Sequence, residues 1–205
     1  MSTVRIIGDV HGKVAPYIRL IKDVEYSVAV GDIGFKGTYH QLEHDHGKYF
    51  EAPYKHCFVP GNHDDYDNLP DWALVDYGIH NQGDLKFFFI RGGESIDQYH
   101  RTEGESWWRN EQLNFQESTD CLKAYEEAKP DVVISHDCPL ICYNRVITNS
   151  MKERGSHTAR LLDECFKIHP PRHWFFGHHH QTMTWQITRT VFHCLGELDY
   201  FDVEG

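Results

Sequence analysis

Short apolar runs punctuate this chain, and most stop at a glycine or serine followed by acidic, amide or imidazole side chains. Val4-Arg5-Ile6-Ile7 is the first such run, and Tyr26 to Val30 the second. Lys55 to Val59, Leu85 to Ile90, Val132 to Ile134 and Trp174 to Phe176 follow. Their length and their β-branched and aromatic content predict buried strands. Between them the period changes to that of a helix. Val14 to Val24 carries an apolar stripe of Tyr17, Ile18, Leu20 and Ile21, with Pro16 tolerated in the first turn. Glu117 to Lys129 places Cys121, Leu122 and Tyr125 on one face and is ended by Pro130, and Thr158 to Ile168 reads as a further helix. A strand, a helix and a strand of these lengths predict a parallel βαβ unit with a right-handed crossover.

The remaining segments are less periodic. Phe35 to Glu51 reads as a solvated helix or loop, and Asp65 to Asp84 as irregular chain with a short helix around Trp72. Arg91 to Gln112 is too long for a turn and predicts a structured loop or lid onto which Trp107 and Trp108 pack. Met183 to Leu195 predicts an antiparallel pair, and the acidic tail from Glu197 is expected to be half ordered. With no linker, repeat or low-complexity stretch, residues 1–205 are expected to form one domain.

Composition narrows the function. Thirty-one acidic against 20 basic residues give a net charge of −11, a poor match for duplex nucleic acid or an anionic membrane surface. No window approaches the ~18 apolar residues of a membrane span. A first strand at Val4 leaves no room for a leader peptide, so a cytoplasmic protein is expected. The six cysteines are then expected to be reduced and buried; Cys138 and Cys142, four apart, lack the second pair of a zinc site. Sixteen histidines are the unusual feature.

Several of those histidines sit at strand ends. Asp9, His11, Asp32, Asn62, His63, His136, His178 and His180 come from five predicted strands. In a parallel sheet, ligands bind beyond the carboxyl ends of the strands. Carboxylate with imidazole suits manganese, iron or zinc. Eight such residues exceed the needs of one ion and suit a pair roughly 3.5–4 Å apart.

In order, the motifs are Asp9-Val10-His11, Gly31-Asp32, Gly61-Asn62-His63-Asp64, the lone His136, and Gly177-His178-His179-His180. This series resembles the calcineurin-like metallophosphoesterases along nearly the whole chain. The stretch from Arg91 to Arg109 resembles segments of uncharacterised bacterial and phage members. The resemblance implies a four-layer α/β/β/α sandwich of two mixed sheets flanked by helices. It also implies two divalent ions (Mn, Fe, Zn or Ni, manganese favoured). Asp9, His11 and His180 would hold one ion, Asn62, His136 and His178 the other, and Asp32 would bridge them. His179 should point away. Two dications and two carboxylates leave a charge of about +2, which suits a phosphate group.

The implied reaction is hydrolysis of a phosphoester by in-line attack of a hydroxide shared between the ions. His63 would stabilise charge or protonate the leaving oxygen, with a carboxylate behind it, Asp64 or its neighbour Asp65. Arg91 or Arg101 could clamp a phosphate and Trp107 or Trp108 stack a base, although Asp97 and Arg101, four apart, equally make an ion pair. Serine/threonine phosphatases of the family continue into an Asp-Arg-Gly where this chain reads Phe35-Lys36-Gly37. A small or nucleotide-type phosphoester is therefore the expected substrate rather than a phosphoprotein. The alternatives are a nuclease for single strands and a non-catalytic scaffold on the same fold.

Overall fold

The computed structural model describes residues 2–147 and 155–204. Two sheets lie face to face. The first has strand order β10-β1-β2-β3 and contains β1 (Thr3–Ile7), β2 (Tyr26–Ala29), β3 (His56–Phe58) and β10 (Tyr200–Glu204). The second has order β4-β5-β6-β7-β9-β8 and contains β4 (Tyr77–Gln82), β5 (Leu85–Ile90), β6 (Val132–Ser135), β7 (His173–Phe176), β8 (Met183–Ile187) and β9 (Thr190–Cys194). Strands β1, β2 and β3 run parallel, as do β5, β6, β7 and β9; β10, β4 and β8 pair antiparallel at sheet edges.

Successive side chains in a strand face opposite ways, and the core follows that alternation. Val4, Ile6, Val28 and Phe87, Phe89, Ile134, Phe175 meet between the sheets. Ile7, Ala29 and Phe58 face outward onto α1 (Val14–Ile21) and α2 (Thr38–His46). Phe88, Ile90, Val133, Trp174 and Phe176 face outward on the other side, onto α3 (Phe115–Ala128) and α5 (His157–Ile168). A one-turn helix, α4 (Tyr143–Val146), packs at that same core. Strands buried on both faces are apolar at nearly every position, which is why their runs are continuous in the sequence. The result is the four-layer sandwich with two mixed sheets.

Three expectations need correction. Asp65 to Asp84 contains the edge strand β4, paired with β5 from Tyr77↔Ile90 to Gln82↔Leu85. Its exposure alternates and Gly78 interrupts it, so no apolar run announced it. Trp72 sits in a turn rather than a helix, buried against Phe50, Phe58 and Tyr39. The tail is a full strand: β10 pairs with β1 along its length, and Arg5 fixes it through both carboxylate oxygens of Asp202 at 2.8 Å. Among the described residues no helix is long and apolar enough to cross a membrane. All six cysteines are free and buried.

Candidate metal centre

Five parallel strands deliver the strand-end motifs to one rim. The chain leaves β1 into Asp9 and His11, β2 into Asp32, β3 into Asn62 and His63, β6 into His136, and β7 into His178 and His180. The turns are tight enough to force His11, Asp32, His178 and His180 to positive φ, between 50° and 63°. Non-glycine residues in that region are uncommon and concentrate at functional sites. Close approach also explains two motif glycines. A Cβ on Gly61 would land on Asp32 Oδ1 and the His136 ring, and one on Gly177 would land on Asp9 Oδ1.

Asp9, His11, Asp32 and His180 each offer a ligand atom, all within 4.8 Å of one another. His11 Nε2 and His180 Nε2 are 2.9 Å apart. Asp9 Oδ2 lies 3.5 Å from His180 Nε2. The two oxygens of Asp32 face different ways, Oδ2 toward His11 Nε2 at 3.8 Å and Oδ1 toward His136 Nε2 at 3.4 Å. On the His136 side, Asn62 Oδ1 is 3.0 Å from His136 Nε2, and the His178 ring meets the His136 ring edge-on at 5.0 Å. The seven proposed ligands therefore form two groups with Asp32 between them.

Backbone groups hold the donors in place. His178 N donates to both oxygens of Asp9, and His63 N donates to Asp32 Oδ1 at 2.8 Å. His136 Nδ1 lies 2.9 Å from the carbonyl of Val30 and must donate to it. That fixes the proton on Nδ1 and leaves a lone pair on Nε2, the tautomer that binds metals.

The consequence is a cluster of carboxyl, imidazole and amide groups crowded where burial penalises charge. Burial pushes the Asp9 carboxyl up to about 8, against the His178 amide that pulls it down. Burial, then the charge of Asp9, raises Asp32 well above its usual range. Burial lowers His11 and His178 to about 4 and holds His136 well below the usual imidazole range. Two of the histidines that face these carboxylates, His11 and His136, are kept neutral by burial. Buried carboxylates are normally paired or bound to metal. Carboxylate oxygens, imidazole nitrogens and an amide oxygen converging in this way fit divalent ions.

His63 stands beside this cluster. Arg101 spans its ring, with Nη1 2.9 Å from Nδ1 and Nη2 3.2 Å from Nε2. Asp97 holds Arg101 at 2.7 Å, so the ion pair and the site contact coexist. Burial, then the Arg101 charge, lowers His63 to about 3. Phe35 packs against the same ring at 5.0 Å. His63, Asp97 and Arg101 line one wall of a cleft of about 390 Å³ that opens onto Asp32, Asn62, His178 and His180.

Two residues expected in the site lie elsewhere. Asp64 does not back His63; its oxygens accept from Gly61 N at 2.7 Å, Tyr39 Oη at 2.8 Å and Gly34 N at 3.2 Å. Residue 64 turns into the core, fully buried, where it ties the second and third motif loops together. Its neighbour Asp65 is likewise occupied, accepting from Asn68 Nδ2. Arg91 is also buried, pinned by Asp76 at 3.0 Å and the Asn110 carbonyl at 2.7 Å, and does not line the cleft. Trp108 is 2 % exposed and packs the loop, so it is not a base-stacking surface. His179 points away from the ligand cluster as expected, to Asp137 Oδ1 at 3.2 Å. Burial raises Asp137, but the hydrogen bonds from His179 and Ser156 hold its carboxyl below the usual range.

Two buried residues were missed. Ser95 accepts from Asn62 Nδ2 at 3.0 Å and donates to Glu111 Oε2 at 2.7 Å. They are 16 apart in an irregular loop, where no periodicity could have signalled a contact.

The comparisons with known proteins agree with this geometry. A search of curated proteins gave no match. Among solved structures, a dimetal phosphatase from Danio rerio aligns with a TM-score of 0.58 at 12% identity, covering 97% of this chain and 88% of that one. A Thermus thermophilus protein aligns with a TM-score of 0.56 at 15% identity, covering 97% and 90%. A phosphopantetheinyl hydrolase from Mycobacterium tuberculosis gives a TM-score of 0.51 at 12% identity, covering 95% and 89%. Likeness at such identities speaks for the fold. The profile of the calcineurin-like phosphoesterases, however, matches residues 2–182, running through every motif loop and stopping only before the last three strands. The chain therefore belongs to the calcineurin-like phosphoesterase family, and it is a metal-dependent phosphoesterase.

Proposed function

We propose that this protein hydrolyses a small or nucleotide-type phosphoester in the cleft beside His63. Asp9, His11 and His180 would hold one divalent ion, and Asn62, His136 and His178 the other. Asp32 would reach both. The observation that carries this reading is the split of Asp32, one oxygen toward His11 and the other toward His136. The family implies two divalent ions, and the donor set suits manganese, iron or zinc, with manganese the ion to test first. When bound, such ions supply Lewis acidity: they neutralise phosphoryl oxygens and make a water more acidic.

The chain's own residues do the rest. Arg101, held by Asp97, presents a fixed cation at the cleft wall, where it would bind a phosphoryl oxygen and orient the ester. His63, kept neutral by burial and by that cation, would donate a hydrogen bond to the phosphoryl group or leaving oxygen rather than carry a charge. The acidic surface supports a substrate other than duplex nucleic acid and a protein that does not bind anionic membranes. Six reduced, buried cysteines suit a cytoplasmic location.

The test is a metal titration of chelated protein, assayed on p-nitrophenyl phosphate and its bis ester. Activity should return with manganese. Asp32→Ala should lose bound metal and activity together. His63→Ala should keep the metal and lose turnover. Full metal occupancy in Asp32→Ala would overturn the bridging assignment. No hydrolysis of either ester by fully loaded protein would favour a scaffold. Activity confined to single-stranded nucleic acid, and falling steeply with salt, would favour a nuclease.

A further inference from the structure

Asn62 is the one neutral oxygen donor of the set, and its amide is ambidentate. It can present an oxygen or an NH₂ from nearly the same place. Toward a cation, those two ends have opposite signs. The neighbours inside the centre favour the wrong one. His136 Nε2 carries a lone pair 3.0 Å away, and Asp32 Oδ1 lies 3.4 Å from that nitrogen. In the absence of an ion, an NH₂ placed there would donate to the His136 lone pair.

What lies behind the amide decides. Ser95 Oγ is 3.0 Å from Asn62 Nδ2 and 2.7 Å from Glu111 Oε2, while Ser95 N donates to Glu111 Oε1 at 2.8 Å. All three residues are buried, at 2 %, 1 % and 3 % exposure for Asn62, Ser95 and Glu111. A serine hydroxyl has one proton, and an ionised carboxylate only accepts. The proton therefore goes to Glu111. Ser95 then turns lone pairs toward Asn62 and demands its NH₂, which leaves the amide oxygen facing the centre. The backbone seats the loop where this relay can form, since Gly92 N donates to the carbonyl of Pro60 at 2.8 Å, two residues before Asn62.

We propose that Glu111 and Ser95 are positioning residues that set the polarity of the Asn62 amide and so build cation affinity into the centre before any ion arrives. The inference rests on the reading of Asn62 as a metal ligand.

Glu111→Gln tests it with almost no change of shape. The glutamine oxygen still accepts from Ser95 N, but its NH₂ now donates to Ser95 Oγ. The serine proton turns to Asn62, and the amide flips. Ion affinities are read by calorimetric titration of chelated protein with manganese, at a pH above the Glu111 value of about 7 so that the wild-type carboxylate is ionised. Wild type should take up two ions. Glu111→Gln should weaken one of them about 10–100-fold and leave the other unchanged. Its chelated form should melt no lower than wild type, because the flipped NH₂ donates to the His136 lone pair. A merely structural glutamate would give the opposite, a lower melting temperature with both ions affected alike.

Asn62→Asp supplies a sign reversal. There two carboxylates compete for one serine proton, and adding Glu111→Gln restores a matched chain, so the second substitution should strengthen binding where alone it weakens it. Should Glu111→Gln fail to fold, Ser95→Ala removes the hydroxyl without adding bulk and should weaken the same single ion. Wild-type affinity for both ions in Glu111→Gln or in Ser95→Ala would overturn the proposal. So would additive losses in the double variant. Wild type that takes up no ion at all would instead bring down the metal reading of the centre, and this inference with it.

Discussion

Asp64→Asn separates two roles for a motif residue. Were Asp64 a partner of His63, the substitution would lower turnover and leave folding alone. The structure gives it another role, closing on the backbone of Gly34 and Gly61 and on Tyr39. Two opposing effects then set the outcome. Burial raises the Asp64 carboxyl from 3.8 to about 6, so its charged form is penalised in the folded chelated protein. The folded state binds more protons than the unfolded state between those values. Stability from this group is thus complete below pH 4 and falls by about 3 kcal/mol as pH rises through 6. Asparagine removes that loss. It also replaces Oδ2 with an NH₂ facing the Gly61 N–H, a buried donor meeting a donor, at about 1–3 kcal/mol.

Above pH 7 the two nearly cancel, and the variant should lie within about 2 kcal/mol of wild type. At pH 4 only the clash remains, and the variant should be less stable by about 1–3 kcal/mol. Urea unfolding of chelated protein at both pH values reads the difference. Turnover of the metal-loaded variant should stay within about tenfold of wild type, since no reacting group is lost. A stability difference independent of pH would refute the burial argument. A turnover loss beyond about a hundredfold with superimposable unfolding curves would return Asp64 to catalysis.

Three further outcomes are expected. Gly177→Ala should cost about 1–3 kcal/mol and weaken metal uptake, because its methyl lands on Asp9 Oδ1 and Val30 Cγ2; melting and metal analysis check both. Burial, then His173, lowers His193 to about 4, so the folded state resists protonating it and stability falls as pH drops from about 6.5 toward 4. His193→Phe, which keeps the stack on Phe175, should flatten that decline by about one proton's worth of slope in chemical unfolding across the same range. Arg101→Ala should raise KM for either nitrophenyl ester, whereas Arg91→Ala should lower melting temperature with KM unchanged; the reverse pattern would reassign the two arginines.

The inner strands were legible because burial on both faces makes them apolar without interruption. The metal-centre candidates were legible because β1, β2, β3, β6 and β7 each end in a glycine or serine beside acid, amide or imidazole. β4 and β10 escaped because edge strands carry polar and exposed residues, and pairing there is set by a partner distant in sequence. Asp64 was misassigned because adjacency along the chain says nothing about direction at a bend; at residue 64 the side chain turns inward. Arg101 was readable only as one of two arginines, since its approach to His63 depends on how a loop without period folds back. Ser95 and Glu111 are joined by tertiary contact alone.

The pairing of β10 with β1 bears on the order of assembly. Gly8 N donates to the carbonyl of Asp199, and Leu198 N to that of Asp9, so the loop holding the first two candidate ligands is stitched to a segment synthesised nearly the whole chain later. A growing chain can form the βαβ unit early, because its contacts are local. It cannot brace the loop of Asp9 until the closing strand has emerged. The brace on the candidate metal loop therefore depends on β10, and chains truncated before that strand should bind cations weakly even after their first sheet has begun to form.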